Sequence, residues 1–314
     1  MKIVFFGTPE FAAKHLQVLH TQGIDIAAIV TKPDTPQGRH LVLQPPPVKV
    51  YAQKYMPHVP LYQPEKCSTA EFAGVLTSLH ADLYVVVAYG EIIKQNILDI
   101  PRLGCINVHG SLLPHLRGAA PMQRCLLQGD TTSGVTIIQL VLKMDAGDML
   151  HQGKVAVPPN MTLPELEKAL IEAGCRSLLK VLTDFERAAV VRTPQDETKV
   201  TFAPKITPAE CCIDWNKQAL VIHNLVRAVT PHPGAWCPIY VRGQTKRLKI
   251  LRSECVESCI GTPGTHVQYS KNELLVFCGK GGLRLQEVQL EGKAAMPIEE
   301  LLRGLPLDAF TFIC

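Results

Sequence analysis

Asn107 and His109 stand two residues apart in the run Cys-Ile-Asn-Val-His-Gly, and Asp145 follows in Lys-Met-Asp-Ala-Gly-Asp. Side chains at i and i+2 of a strand point to one face, so an amide and an imidazole are offered together. A carboxamide N–H, and an imidazolium beside a carboxylate, can both donate hydrogen bonds to an oxygen that is gaining negative charge. That is an oxyanion site. The trio contains no Ser or Cys, so a nucleophile must come from a substrate. Acyl transfer to an amine fits, because an α-amino group has a reference pKa of about 7.7 to 8.0 and is partly unprotonated near neutrality. Two other readings use the same residues: a satisfied turn at a strand end, and a zinc site built on His and Asp. Against metal, His115 and His151 do not stand at helical ligand spacing from His109, and Cys-x-x-Cys occurs nowhere.

The elements around the trio can be read from periodicity. Cys105 to Val108 is an apolar run that stops at His-Gly-Ser-Leu-Leu-Pro, as a strand stops at a loop. His109 therefore lies near the carboxyl end of a strand, the rim where ligands collect in open α/β sheets. Gly134 to Val141 is a second β-branched strand, with Asp145 in the loop just after it. If the two strands are neighbours, Asp145 can approach His109. Ile3 to Phe6, Ile24 to Val30 and Leu83 to Ala88 are further strand-like runs, and amphipathic stretches such as Glu10 to Leu19 and Glu71 to Leu79 separate them. This alternation predicts an α/β fold with a doubly wound, mostly parallel sheet. The first turn, Gly7-Thr8-Pro9, lacks Gly-x-Gly-x-x-Gly, which disfavours a nicotinamide cofactor.

His109-Gly-Ser-Leu-Leu-Pro114 together with Arg117-Gly-Ala-Ala-Pro121 resembles the folate-dependent formyltransferases, and within them the members that act on methionyl-tRNA. Phe6 to Ala12, Val86 to Gly90, Asp145 to Met149 and Ile213 to Trp215 carry the resemblance along essentially the whole chain. It implies that Asn107, His109 and Asp145 are the catalytic trio, with Asp145 orienting His109 and favouring its charged form. It implies that Ser111, Leu112, Leu113 and Pro114 form the loop that meets tetrahydrofolate. Val87, Ala88, Tyr89 and Gly90 match the strand end whose backbone lines the pterin pocket, although a Val-rich strand reads first as buried parallel sheet. The implied formyl donor is 10-formyltetrahydrofolate, without a metal, and the implied acceptor is the α-amino group of methionine on initiator tRNA.

Leu163 to Ala188 reads as one long helix, with Thr162 as N-cap, Pro164 in the first turn and Glu165 completing a capping box. The polar, Pro-bounded stretch that follows suits a linker. The expected division is a folate-binding catalytic domain over 1–189, a linker over 190–206, and a smaller domain over 207–314. In this last part Ala219 to Ala228 looks helical, and Cys237 to Val241, Leu248 to Leu251, Leu274 to Phe277 and Leu283 to Val288 are short strands between turns. They suggest a small β-barrel, and the resemblance implies one like an oligonucleotide-binding fold. Arg242, Lys246, Arg247, Lys249 and Arg252 put five cations and no acid on one segment, either to neutralise tRNA phosphates or to keep an edge strand solvated. The long Pro-rich stretch Thr31 to Pro47 follows a strand and falls at the expected rim. The resemblance implies that it probes the tRNA acceptor end through Arg39 and Lys49, although His40-Leu41-Val42 stands where familiar members carry Gly and two lysines.

At 314 residues and 46% apolar, the chain is long enough for two domains, and its net charge of +4 permits contact with a polyanion without demanding it. The 11 cysteines are scattered and odd in number, and Met1 to Phe6 is too short for a signal peptide, so a reducing cytoplasmic setting is expected, away from membranes. A monomer is the expected assembly. Rival readings are formyl transfer to another amine, hydrolysis of formyl-folate, and a non-catalytic RNA-binding module of the same fold.

Overall fold

The computed structural model describes residues 1–37, 42–270, 272–305 and 309–313. Two compact units emerge: one from 1–118, 132–156 and 167–202, the other from 119–131, 157–166 and 203–314.

In the first unit, β1 (Lys2–Gly7) is apolar on both faces, and Ile3, Val4, Phe5 and Phe6 are wholly buried. A strand of that kind belongs at the centre of a covered parallel sheet. It lies there, between β2 (Asp25–Val30) and β6 (Leu83–Val87), with α1 (Glu10–Thr21) as the first crossover helix. A short antiparallel pair, β3 (Thr35–Gln37) with β4 (Val42–Gln44), precedes α2 (Pro47–Tyr55) and β5 (Leu61–Tyr62). α3 (Ala70–Ser78) leads into β6, and α4 (Gln95–Leu98) leads into β7 (Cys105–His109). With β8 (Thr132–Gln139) and β9 (Met149–Ala156) the strand order is β5-β2-β1-β6-β7-β8-β9.

The strands from β5 to β7 are parallel, and β8 and β9 are antiparallel to their neighbours. This is the expected mostly parallel sheet, with an antiparallel edge that periodicity did not announce. The reason is visible in β9, Met-Leu-His-Gln-Gly-Lys-Val-Ala, which has one β-branched residue and no apolar run. Pairing with β8 makes it a strand, and local propensity has little part in it.

α5 (Pro121–Gln128) belongs to the second unit, and so does the start of α6 (Leu163–Glu186). At that start the Glu165 carboxylate accepts from the Thr162 N–H at 2.7 Å and from its hydroxyl at 2.9 Å, the reach-back half of a capping box. α7 (Ala219–Val229) packs on an antiparallel sheet of β10 (Ala235–Val241), β11 (Gln244–Val256), β12 (His266–Ser270), β13 (Glu273–Phe277), β14 (Gly282–Leu290) and β16 (Phe310–Phe312). β15 (Met296–Pro297) pairs with β14, and α8 (Ile298–Gly304) follows. Among the described residues the pairing order β12-β13-β14-β11-β10-β16 does not close, so the unit is a curled half-barrel. Its two end strands still touch through rings: His266 of β12 stacks on Phe310 of β16 with centroids 4.8 Å apart. No helix among the described residues is long and apolar enough to cross a membrane.

Candidate active site

β7 places Asn107 and His109 on one face, and its pairing runs from Val86 of β6 on one side to Ile138 and Thr136 of β8 on the other. His109 is buried, and its Nε2 donates to the Leu116 carbonyl at 2.9 Å. Its Nδ1 faces Asp145 Oδ1 at 3.6 Å, within ion-pair range but longer than a hydrogen bond. Asn107 is half-buried, and its side-chain amide has no hydrogen-bond partner among the described residues. An amide donor therefore stands open beside an imidazole whose orientation is set from two sides.

Asp145 reaches His109 because the β8–β9 connection folds back on itself. The Gln139 N–H donates to the Asp148 carbonyl at 2.9 Å, and a Cβ at Gly147 would collide with the Gln139 carbonyl, so only glycine closes this turn. Asp145 itself sits at φ +51°, a left-handed conformation that costs of order 1–3 kcal/mol for a residue with a side chain and persists only where surroundings enforce it. The enforcement is visible. Its Oδ2 accepts from the Gly118 N–H at 2.9 Å, and Gln195 Nε2 donates to the Asp145 and Gly147 carbonyls at 2.7 and 2.8 Å.

The loop Ser111-Leu112-Leu113-Pro114 is held by its backbone. Leu113 N–H donates to Thr136 Oγ1 at 3.0 Å, that hydroxyl donates to the Ser111 carbonyl at 2.7 Å, and Gln152 Nε2 donates to the Leu113 carbonyl at 2.8 Å. Leu112 packs over Gly134, where a Cβ would overlap it. Just past β6, Ala88 and Gly90 are exposed at φ +44° and +88°, with the Tyr89 side chain turned into the core between them. Residues 88 and 90 are thus open to solvent, while Tyr89 between them is packed away. Thr8 Oγ1 donates to the Tyr89 carbonyl at 2.7 Å and ties the first turn to it. Burial pushes the Cys105 thiol far up, which disfavours its thiolate.

The segment 190–206 carries one 3-10 turn, Glu197–Lys199, and is otherwise irregular, yet it is engaged. Through Phe202 it runs along the first unit: Thr193 pairs with Met149, Phe202 pairs with Arg117, and Leu116 N–H donates to Thr201 Oγ1 at 2.8 Å. Arg117 is almost wholly buried and bonds Gln195 and Glu197, the latter at 2.7 Å. Arg117, with Lys143 second, pulls the Glu197 carboxyl from its ordinary 4.5 down to about 2. A depressed value in the folded state means that the stabilisation is complete above pH 4.5 and is lost as pH falls towards 2. Glu197→Gln should thus lower the unfolding midpoint at neutral pH, and melting curves against pH should show the gap to the parent closing below pH 4.5. A gap independent of pH would mean that the ion pair adds nothing.

The family profile described as formyl transferase matches residues 1–182, and that of the formyl transferase C-terminal domain matches 205–306. The chain belongs to the formyl transferase family. It is 48% identical over 313 residues to a methionyl-tRNA formyltransferase of Protochlamydia amoebophila, covering 100% of this chain and 98% of that protein. It is 41% identical over 307 residues to one of Chlamydia abortus, covering 97% and 95%. Among solved structures, WlaRD, a sugar 3N-formyl transferase determined in the presence of dTDP and 5-N-formyl-THF, superposes with a TM-score of 0.68 at 17% identity over 94% of this chain and 99% of that one. HypX from Aquifex aeolicus in complex with tetrahydrofolic acid gives 0.65 at 16% identity over 96% of this chain and 47% of that one. At those identities the shared property is the fold.

In this member of the family the cations named from sequence occupy distinct settings. Arg39 lies outside the described residues. Lys49 does not stand free: its Nζ pairs with Asp34 at 2.8 Å, and Gln63 braces the same carboxylate at 2.8 Å. Along β11, Leu248 and Ile250 point inward, so Lys246 shares their face and lines a cavity of about 660 Å³ with Arg242, Leu290, Met296 and Leu301. Arg247 and Lys249 point the other way, and the Arg247 guanidinium lies 4.0 Å from the centroid of the Trp236 ring. A register shift between Ile250 and Arg252 returns Arg252 to that exposed side, where it pairs with Glu165 at 2.8 Å. Strict alternation would have turned it inward.

Sequence reasoning missed Thr136, Gln152, Arg117 and Gln195 as supports of the site. Arg117 was visible only as part of Arg-Gly-Ala-Ala-Pro, and the two glutamines and the threonine carry no local signal.

Proposed function

We propose that this chain transfers the formyl group of 10-formyltetrahydrofolate to the α-amino group of methionyl initiator tRNA, for translation initiation. The observation that carries the chemistry is the open Asn107 amide on one strand face with His109, whose ring is set by Leu116 and Asp145. The neutral amine attacks the formyl carbon, and the C–N bond forms as the carbonyl π electrons move onto oxygen. Asn107 and His109 donate to that oxygen, with the substrate competing against the Leu116 carbonyl for the His109 N–H. The C–N10 bond then breaks, and N10 takes up the proton that the attacking amine gives away, through water or His109. Asp145 keeps the imidazole oriented throughout.

Ser111 to Pro114 and the main chain of Val87 to Gly90 would hold the folate. Arg39 on the rim loop, and Arg242, Lys246, Arg247, Lys249 and Arg252 on the half-barrel, would meet tRNA, with Lys49 committed to Asp34 until that pair opens. The domain division 1–189, 190–206 and 207–314, the cytoplasmic setting and a monomeric state belong to the same proposal. The full-length likeness to methionyl-tRNA formyltransferases favours this acceptor over sugar amines or water.

The direct experiment offers the protein formyl-folate with methionyl initiator tRNA, an amino sugar nucleotide or water alone. Rapid formylation of the tRNA only is expected. It should persist after treatment with a chelator, with tRNA folding maintained separately, because the amine needs no metal to become a nucleophile. Preferential sugar formylation, hydrolysis uncoupled from tRNA, or rescue of a chelated enzyme by zinc alone would each overturn part of this reading.

A further inference from the structure

Gln195 belongs to none of the family-matching motifs, yet each hydrogen-bonding direction of its amide is used. Its Oε1 accepts from Arg117 Nε at 3.0 Å and Nη2 at 2.8 Å, and its Nε2 donates to the carbonyls on either side of Ala146, in the loop that presents Asp145. Arg117 is about 1% exposed and directly follows Leu116, whose carbonyl holds His109. One amide thus links the chain that sets one side of the His109 ring to the loop that sets the other.

We propose that Gln195 is a positioning residue for formyl transfer, holding Asp145 against His109 by anchoring the main chain at Asp145 and Gly147. The proposal rests on Asp145 belonging to the catalytic trio. The left-handed backbone at Asp145 makes the anchor necessary, since that conformation relaxes unless contacts outside the loop retain it. The carboxylate already stands 3.6 Å from the ring, so a small drift would take it out of reach.

Gln195→Ala and Gln195→Glu separate this role from simple structural support. Glutamate keeps an acceptor for buried Arg117 but has no N–H for the two carbonyls and sets a charged oxygen against them. Both variants should lower kcat by about 10- to 100-fold, the scale of a misplacement near 1 Å, with KM for folate and for tRNA within about twofold of the parent. Gln195→Glu should also keep the parent's unfolding midpoint to within a few degrees, because the Arg117 charge stays paired. A structural filler would be satisfied by glutamate, so a Gln195→Glu enzyme with the parent's kcat would overturn the proposal. So would a loss confined to KM. Asp145→Asn, measured alongside, keeps the two ideas distinct. If it matches the parent, Asp145 is not catalytic and both fall; if it is inactive while Gln195→Glu is normal, only the positioning role falls.

Discussion

Replacing Asn107 or His109 with Ala is expected to lower the rate of formyl transfer by about 100- to 1000-fold, the usual loss when one donor to a developing oxyanion is removed. Each residue would supply a separate donor, so neither should compensate for the other. Asn107 is the more informative of the two. Its amide has no partner among the described residues, so its truncation breaks no internal hydrogen bond and should leave the unfolding midpoint nearly unchanged. His109 is buried and bonded to the Leu116 carbonyl, so His109→Ala should cost stability as well as rate. Rates at saturating substrates, compared with melting curves, separate the two effects. Near-parent turnover in both variants would remove the oxyanion mechanism.

The second large effect concerns tRNA affinity. Arg247 and Lys249 share the outer face of β11, and Arg247 is stacked on Trp236. If they meet phosphates, changing both to Gln should weaken binding roughly tenfold at low salt and flatten the slope of log affinity against log salt by roughly 0.7 to 0.9 for each phosphate no longer neutralised. Turnover at saturating tRNA should hardly change, since phosphate contacts position the acceptor without touching the reacting atoms. Lys246→Gln should have the smaller effect, because Lys246 lies on the opposite face of the strand, lining a pocket with Arg242 and Leu290. Filter binding or fluorescence titration over a range of salt concentrations measures both quantities. An unchanged slope in the double variant would make this face a solvated strand whose charges guard against edge pairing.

Strand periodicity placed the central strands of the first sheet within a residue or two, because a run buried on both faces is apolar whatever it packs against. It also placed Asn107 and His109 on a common face, since the two-residue repeat of a strand is a local property. The motif around Pro114 was legible for a related reason: its chemistry is written in contiguous residues.

Other features depended on pairings between distant segments, for which a single chain carries no signal. Tertiary structure decided that β8 and β9 run antiparallel, and that the connection between them brings Asp145 within 3.6 Å of His109. The stretch expected as a polar linker also bears Gln195, which meets Arg117 78 residues earlier in the chain and Asp145 50 residues earlier. In β11 the sequence by itself determined that five cations would gather. Which of them face outward was decided by a bulge at Leu251 and by ion pairs such as Arg252 with Glu165. Local periodicity is set by backbone geometry. A bulge or a buried hydrogen bond is set by whatever partner arrives from elsewhere, and that partner exists only once the chain has folded.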